Sequence, residues 1–154
     1  MLAAALAGLD AREASDATLT VRPGHADDIG ACERFVQELG AMYVSWADAR
    51  GMRVRRNGSD GEVVLEVSGL GAYTLLKGES GLHVLELPHE EDRGFERVTA
   101  LVEVDPVGST SDVNRGEPAI VRRYRHEPSP LVRDASGMRT GRIDRVLAGD
   151  FDLL

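Results

Sequence analysis

The chain has 154 residues, 42 % hydrophobic and 29 % charged, a balance that fits one globular domain with a sizeable core and excludes a disordered polymer. Its 26 acidic residues outnumber 18 basic ones, and the net charge of −8 excludes broad phosphate-driven affinity, so DNA is not an expected partner. An RNA site stays open to such a chain only where arginines gather locally.

The opening Met1 to Ala7 is apolar but lacks a basic start, turns acidic by Asp10 and is too short to cross a bilayer. The expectation for residues 1–17 is a short helix packing Leu2, Leu6 and Leu9 on the body, with no membrane partner. A long helix is expected from Asp27 to Arg50. Its apolar positions Ile29, Cys32, Val36, Leu39, Tyr43, Trp46 and Ala47 fall at intervals of three and four and form one stripe. Asp27 and Asp28 suit its start as capping carboxylates rather than as acid/base groups, and Gly51 stops it. Cys32 lies on the stripe, which points to a buried thiol. As the single cysteine it allows no internal disulfide and fits a reducing, cytoplasmic setting.

Short strands follow: Met52 to Arg56, Glu62 to Ser68 with Val63, Leu65 and Val67 on one face, Tyr73 to Lys77, Leu82 to Leu87, and a longer one from Arg97 to Val104. Val107 to Pro118 lacks an apolar run and reads as a linker. Beyond it, Ala119 to Arg125 and Leu131 to Asp134 read as strands and Gly137 to Gly141 as a turn. A short closing helix from Arg142 to Ala148 aligns Ile143, Val146 and Leu147, with Phe151 and Leu154 extending the contact. The expected class is α+β: a mostly antiparallel sheet packed by one long helix and short terminal helices.

Three runs then carry a resemblance. Leu19-Thr20-Val21-Arg22-Pro23-Gly24, Asp27-Asp28 and Met42-Tyr43-Val44-Ser45-Trp46-Ala47 form the first. Gly71 to His83, ending in Glu79-Ser80-Gly81-Leu82-His83, form the second. Val121-Arg122-Arg123-Tyr124, Val132-Arg133-Asp134, Thr140 and Val146 to Asp152 form the third. In this order they resemble the codon-recognition superdomain of bacterial class-I peptide-chain release factors. The resemblance implies that residues 18–106 and 119–154 are two pieces of one domain. It also implies that the linker 107–118 stands where the family carries its catalytic domain. No Gly-Gly pair occurs anywhere in the sequence, so the family's hydrolytic Gly-Gly-Gln loop is absent and no enzymatic activity is expected.

The resemblance places the family's stop-codon tripeptide at His89, Glu90 and Glu91, its base-stacking histidine at Val98 and a codon-contacting threonine at Thr99. Gly94 is kept, but Phe95 and Glu96 replace small or basic residues. Glu90 and Glu91 bring negative charge towards a phosphate-rich codon, unfavourable within about 8–10 Å. His89 to Asp92 are adjacent and cannot all converge on one ion, so a solvated tip or partner contact is expected rather than a metal site. His83 is expected to be a hydrogen-bonded structural histidine, and no cofactor motif is present.

Arg53, Arg55 and Arg56 after the long helix, with Arg122 and Arg123 in the C-terminal segment, are the candidate RNA contacts; surface ion pairing is their bland alternative. Tyr124 among them suits the strand core better than base stacking. The expectation is therefore a release-factor-like, non-hydrolytic protein acting at or near the ribosomal decoding site in termination, rescue or its regulation. Its partners would be ribosomal RNA, a translation factor or a separate catalytic protein. The alternative is a repurposed protein-interaction module that no longer binds ribosomes.

Overall fold

The computed structural model describes residues 15–58, 61–88, 94–108 and 117–153. The expected N-terminal helix, with Leu2, Leu6 and Leu9, lies outside them, as do Leu154 and most of the linker. Among the described residues the helices and strands follow one another as β1 (Ala17–Pro23), α1 (Ile29–Ala49), β2 (Arg53–Asn57), β3 (Val63–Ser68), α2 (Ala72–Leu76), β4 (Gly81–Pro88), β5 (Phe95–Pro106), β6 (Ile120–Arg125), β7 (Leu131–Asp134), β8 (Arg139–Thr140) and α3 (Ile143–Leu147). The strands make one eight-stranded sheet in the order β2-β3-β1-β5-β4-β6-β7-β8. Every pairing is antiparallel except β4 with β6. The class is α+β, as the sequence implies.

Alternation along the strands sorts the sheet into two faces. Leu19, Val21, Val63, Leu65, Val67, Val98, Ala100 and Val102 are buried and pack with Cys32, Phe35, Val36, Leu39, Met42 and Tyr43 of α1. Gly40 sets the closeness of that contact, since a Cβ there would lie 3.0 Å from Val63 Cγ1. Asp28 caps the helix, its Oδ1 accepting the Gly30 N–H at 2.9 Å. Ile29 departs from the expected stripe: it is the first residue of the helix and is 71 % exposed.

Two further expectations are corrected. Tyr73 to Lys77 is not a strand: Ala72–Leu76 is helical and Lys77–Glu79 is a 3-10 turn. Ala72 and Leu76 are fully buried and Leu75 is exposed, a pattern that a spacing of four allows in a helix and in a strand alike. The turn from Gly137 to Gly141 contains the short strand β8, which pairs with β7.

The C-terminal segment does not form a separate body. β6 lies beside β4, β7 and β8 extend the same sheet, and α3 closes on α1. Phe151 stacks on Trp46 at 5.8 Å and meets Tyr43 edge-on at 5.5 Å, and Arg50 pairs with Asp152. Gly149 sits directly on the α1 backbone with φ +108°, and a Cβ there would lie 2.7 Å from the Trp46 nitrogen. Backbone cannot give way as a flexible side chain can. Gly149→Ala is therefore expected to destabilise the protein by at least about 1–3 kcal/mol, read as a lower urea midpoint.

Candidate functional site

β5 runs antiparallel to β4 and β6 runs parallel to it, so β5 ends and β6 begins at the same end of the sheet. They flank β4, two strand spacings apart, or about 10 Å. The two pieces of chain on either side of the linker therefore close into one sheet.

What fastens them is a buried polar network built on the Glu79 to His83 signature. Arg122 on β6 points to the α1 face, 4 % exposed, and grips Glu79 in bidentate fashion. Its Nη1 donates to Oε1 at 2.7 Å and its Nη2 to Oε2 at 2.8 Å. The Tyr43 hydroxyl of α1 donates to the same Oε1 at 2.9 Å. Arg122 Nη1 also donates to the Tyr124 hydroxyl oxygen at 3.0 Å.

The tautomer of His83 follows from its partners. Nε2 stands 2.9 Å from the Glu79 carbonyl oxygen, which can only accept, so Nε2 carries the proton. Nδ1 then accepts from the Tyr124 hydroxyl at 2.9 Å. The Tyr124 hydroxyl proton has an acceptor on Nδ1 only while His83 is neutral. Burial lowers the His83 pKa from 6.5 to about 4, which keeps it so. Burial by itself raises the Glu79 carboxyl, but the Arg122 hydrogen bonds and charge outweigh it and hold the group below its ordinary 4.5. Burial raises both Tyr43 and Tyr124 and keeps them neutral.

This geometry corrects one candidate. Arg122 is no RNA contact, because its guanidinium is spent on Glu79 inside the protein. Tyr124 is fully buried as well, edge-on to Phe35 at 5.5 Å. Arg123, the next residue, takes the opposite face.

The hairpin end of β4 and β5 is the second part of the site. His89, Glu90 and Glu91 lie outside the described residues, between Pro88 and Gly94. Val98 cannot serve as a contact: it is fully buried in the sheet's core face. Thr99 faces the other way and is a clamp. Its Oγ1 accepts the His25 N–H at 2.6 Å, its N–H donates to the His25 carbonyl at 3.0 Å, and its carbonyl accepts the Gly24 N–H at 2.8 Å. The Cys32 thiol adds a bond to that carbonyl at 3.5 Å, and burial raises the thiol pKa. A Cβ on Gly24 would lie 2.9 Å from the Thr99 carbonyl oxygen, so only glycine admits this approach. Thr99 thus ties the connection between β1 and α1 to the middle of β5.

Arg53, Arg55 and Arg56 are exposed on the edge strand β2. Arg56 bonds Gln37 of α1, while Arg53 and Arg55 occupy the opposite face. The structure therefore does not bring them together with Arg123, which lies five strands away. Among the described residues no group of three or more His, Cys, Asp or Glu could hold a metal, and no helix is long and apolar enough to cross a membrane.

Comparison with known proteins meets this geometry. Residues 1–104 match the PCRF domain. The chain is 32 % identical over 117 residues to peptide chain release factor 1 of Ruegeria pomeroyi and 34 % identical over 119 residues to that of Dinoroseobacter shibae. Each match covers 71 % of this chain but 33 % of the relative, so the chain spans about a third of the length of the curated relatives it matches. RF2 of Thermus thermophilus shares the fold, with a TM-score of 0.73 over 94 % of this chain and 68 % of that one, at 17 % identity. With a PCRF match over most of its length and no Gly-Gly pair in its sequence, the chain belongs to the peptide chain release factor family and lacks that family's hydrolytic loop.

Proposed function

We propose that this protein is a non-hydrolytic, release-factor-like protein that associates with the ribosome at or near the decoding site. It would act in termination, rescue or their regulation. The observation that carries this reading is the closure of the sheet. A scaffold joined by a dedicated buried network, with no Gly-Gly pair in the sequence, has kept the framework of codon recognition while doing without the hydrolytic loop. The linker 107–118 takes the place of the inserted catalytic domain, which the neighbouring ends of β5 and β6 make sterically simple. Ribosomal RNA is the partner, and release, where it occurs, is supplied by a separate catalytic protein. The setting is cytoplasmic.

Purified protein should co-sediment with small ribosomal subunits at low salt, with the bound fraction falling steeply as salt rises. It should leave peptidyl-tRNA intact. Absence of sedimentation at low salt would sink the ribosomal reading, and measurable release by the protein alone would sink the non-hydrolytic one. The acidic Glu90-Glu91 pair favours one second reading, a protein-interaction module with that loop as its contact. That reading predicts a stable protein partner without ribosomes, lost on Glu90→Lys/Glu91→Lys.

A further inference from the structure

The face of the sheet turned away from α1 carries a row of arginines that strand register brings together. Arg123 on β6 is directly opposite Arg133 on β7, and Arg133 is directly opposite Arg139 on β8. Residues opposite one another share a face, and like charges in that position repel. A sheet that needed only stability would not keep three arginines in one row. In the same register Arg123 stands beside Val84 of β4, and Val84 beside Thr99 of β5. Val84 is fully buried, so the charged row ends at β6, and beyond Val84 the register reaches the Thr99 clamp on the β1–α1 connection.

The surroundings compensate these charges only in part. Arg133 Nη2 reaches Glu86 Oε1 at 3.4 Å, a long contact. Arg133 Nε is buried and has no hydrogen-bond partner among the described residues. Neither Arg123 nor Arg139 has an ion pair there. A cleft of about 290 Å³ opens between the strands, lined by Val121, Arg122, Arg123, Arg133 and Asp134. Asp134 lines the cleft too: the N–H groups of Ser136 and Met138 and the Ser136 hydroxyl fix its Oδ1 but leave its negative charge in place, so Arg123 and Arg133 stand there against one carboxylate. Beside the row, Arg125 lies over the Phe95 ring at 5.1 Å.

We propose that the Arg123–Arg133–Arg139 row is an RNA-backbone contact surface, with a phosphate seated in the cleft between Arg123 and Arg133. Strands stand about 4.8 Å apart, so the three side chains are rooted along about 10 Å, suited to a run of phosphates rather than to one carboxylate. In a chain of net charge −8, such a row is the local concentration of positive charge that RNA binding needs. The proposal deepens the ribosomal reading and rests on it for the identity of the RNA, but the chemistry of the row can be tested separately.

The test compares wild type with Arg123→Gln/Arg139→Gln, which leaves the Arg133–Glu86 contact in place. A control, Arg53→Gln/Arg55→Gln, removes the same charge at the far edge of the sheet. Each binds a fluorescent single-stranded 12-nucleotide RNA and small ribosomal subunits over a salt series. The row variant should bind the RNA at least tenfold more weakly and lower the salt slope by about 1.4, since each single-strand phosphate contact contributes about 0.7. The control should bind within about twofold of wild type. The row variant should melt no lower than wild type, because repulsion has been removed.

Equal losses in both variants would overturn the proposal, as would an unchanged row variant. Poly-L-glutamate binding as tight as RNA, with the same dependence on the row, would overturn it too, by making the occupant an acidic protein. Row-dependent binding of the 12-mer without binding to subunits would uphold the RNA surface and defeat the ribosomal reading. Binding to subunits that ignores the row would do the reverse.

Discussion

Arg122→Ala should cost about 3–5 kcal/mol of folding stability, the range for removing one partner of a buried ion pair. The loss is large because what remains is worse than what is removed. Glu79 would stay buried as a carboxylate, keeping only the Tyr43 hydroxyl of its side-chain partners, and the Tyr124 hydroxyl would lose the donor that orients it towards His83. A second variant separates an orphaned charge from lost packing. Glu79→Met/Arg122→Met removes both charges, so it should be more stable than Arg122→Ala and recover part of the loss. Urea unfolding of the three proteins measures this, and a double variant less stable than the single would contradict the account.

The second large effect is on acid stability. His83 has a folded-state pKa of about 4 against an ordinary 6.5, so the folded protein holds fewer protons than the unfolded chain between those values. Stability from keeping His83 neutral is complete above about pH 6.5 and lost as pH falls towards 4. At about 1.4 kcal/mol per pKa unit, the loss is about 3 kcal/mol. Glu79 acts in the same direction at lower pH, since its carboxyl is held below 4.5 and must be protonated for its bonds to Arg122 to weaken. His83→Gln should be less stable than wild type at pH 7 but should flatten the pH dependence between 6.5 and 4. An equally steep dependence in the variant would place the titration elsewhere.

Periodicity revealed the long helix and most strands because each presents one face to a single core: Leu39 and Tyr43 in the helix, Val63, Leu65 and Val67 in the strand. It failed at Tyr73 to Lys77, where the stretch is too short for three- and four-residue spacing to stand out from alternation. The network was only half legible. Glu79 and His83 could be seen as a signature, but their partner lies 43 residues from Glu79, and sequence spacing does not reveal such a contact. One signal was available for Arg122. In a strand it must share a face with Tyr124 and oppose Arg123, so the two arginines could not both contact RNA. The Arg123–Arg133–Arg139 row was hidden for a different reason, since it exists only through the registers of β6, β7 and β8.

The central claim is that the segments before and after the linker fold as one unit through Glu79, His83, Arg122 and Tyr124. Native-state hydrogen exchange across a urea series tests it most directly, comparing the β6 amides of Arg122 to Tyr124 with the β1 amides of Leu19 to Val21. The account predicts that both sets exchange through the same global opening, with one free energy and one urea dependence. A separate opening of β6 to β8, several kcal/mol below that of β1, would contradict it.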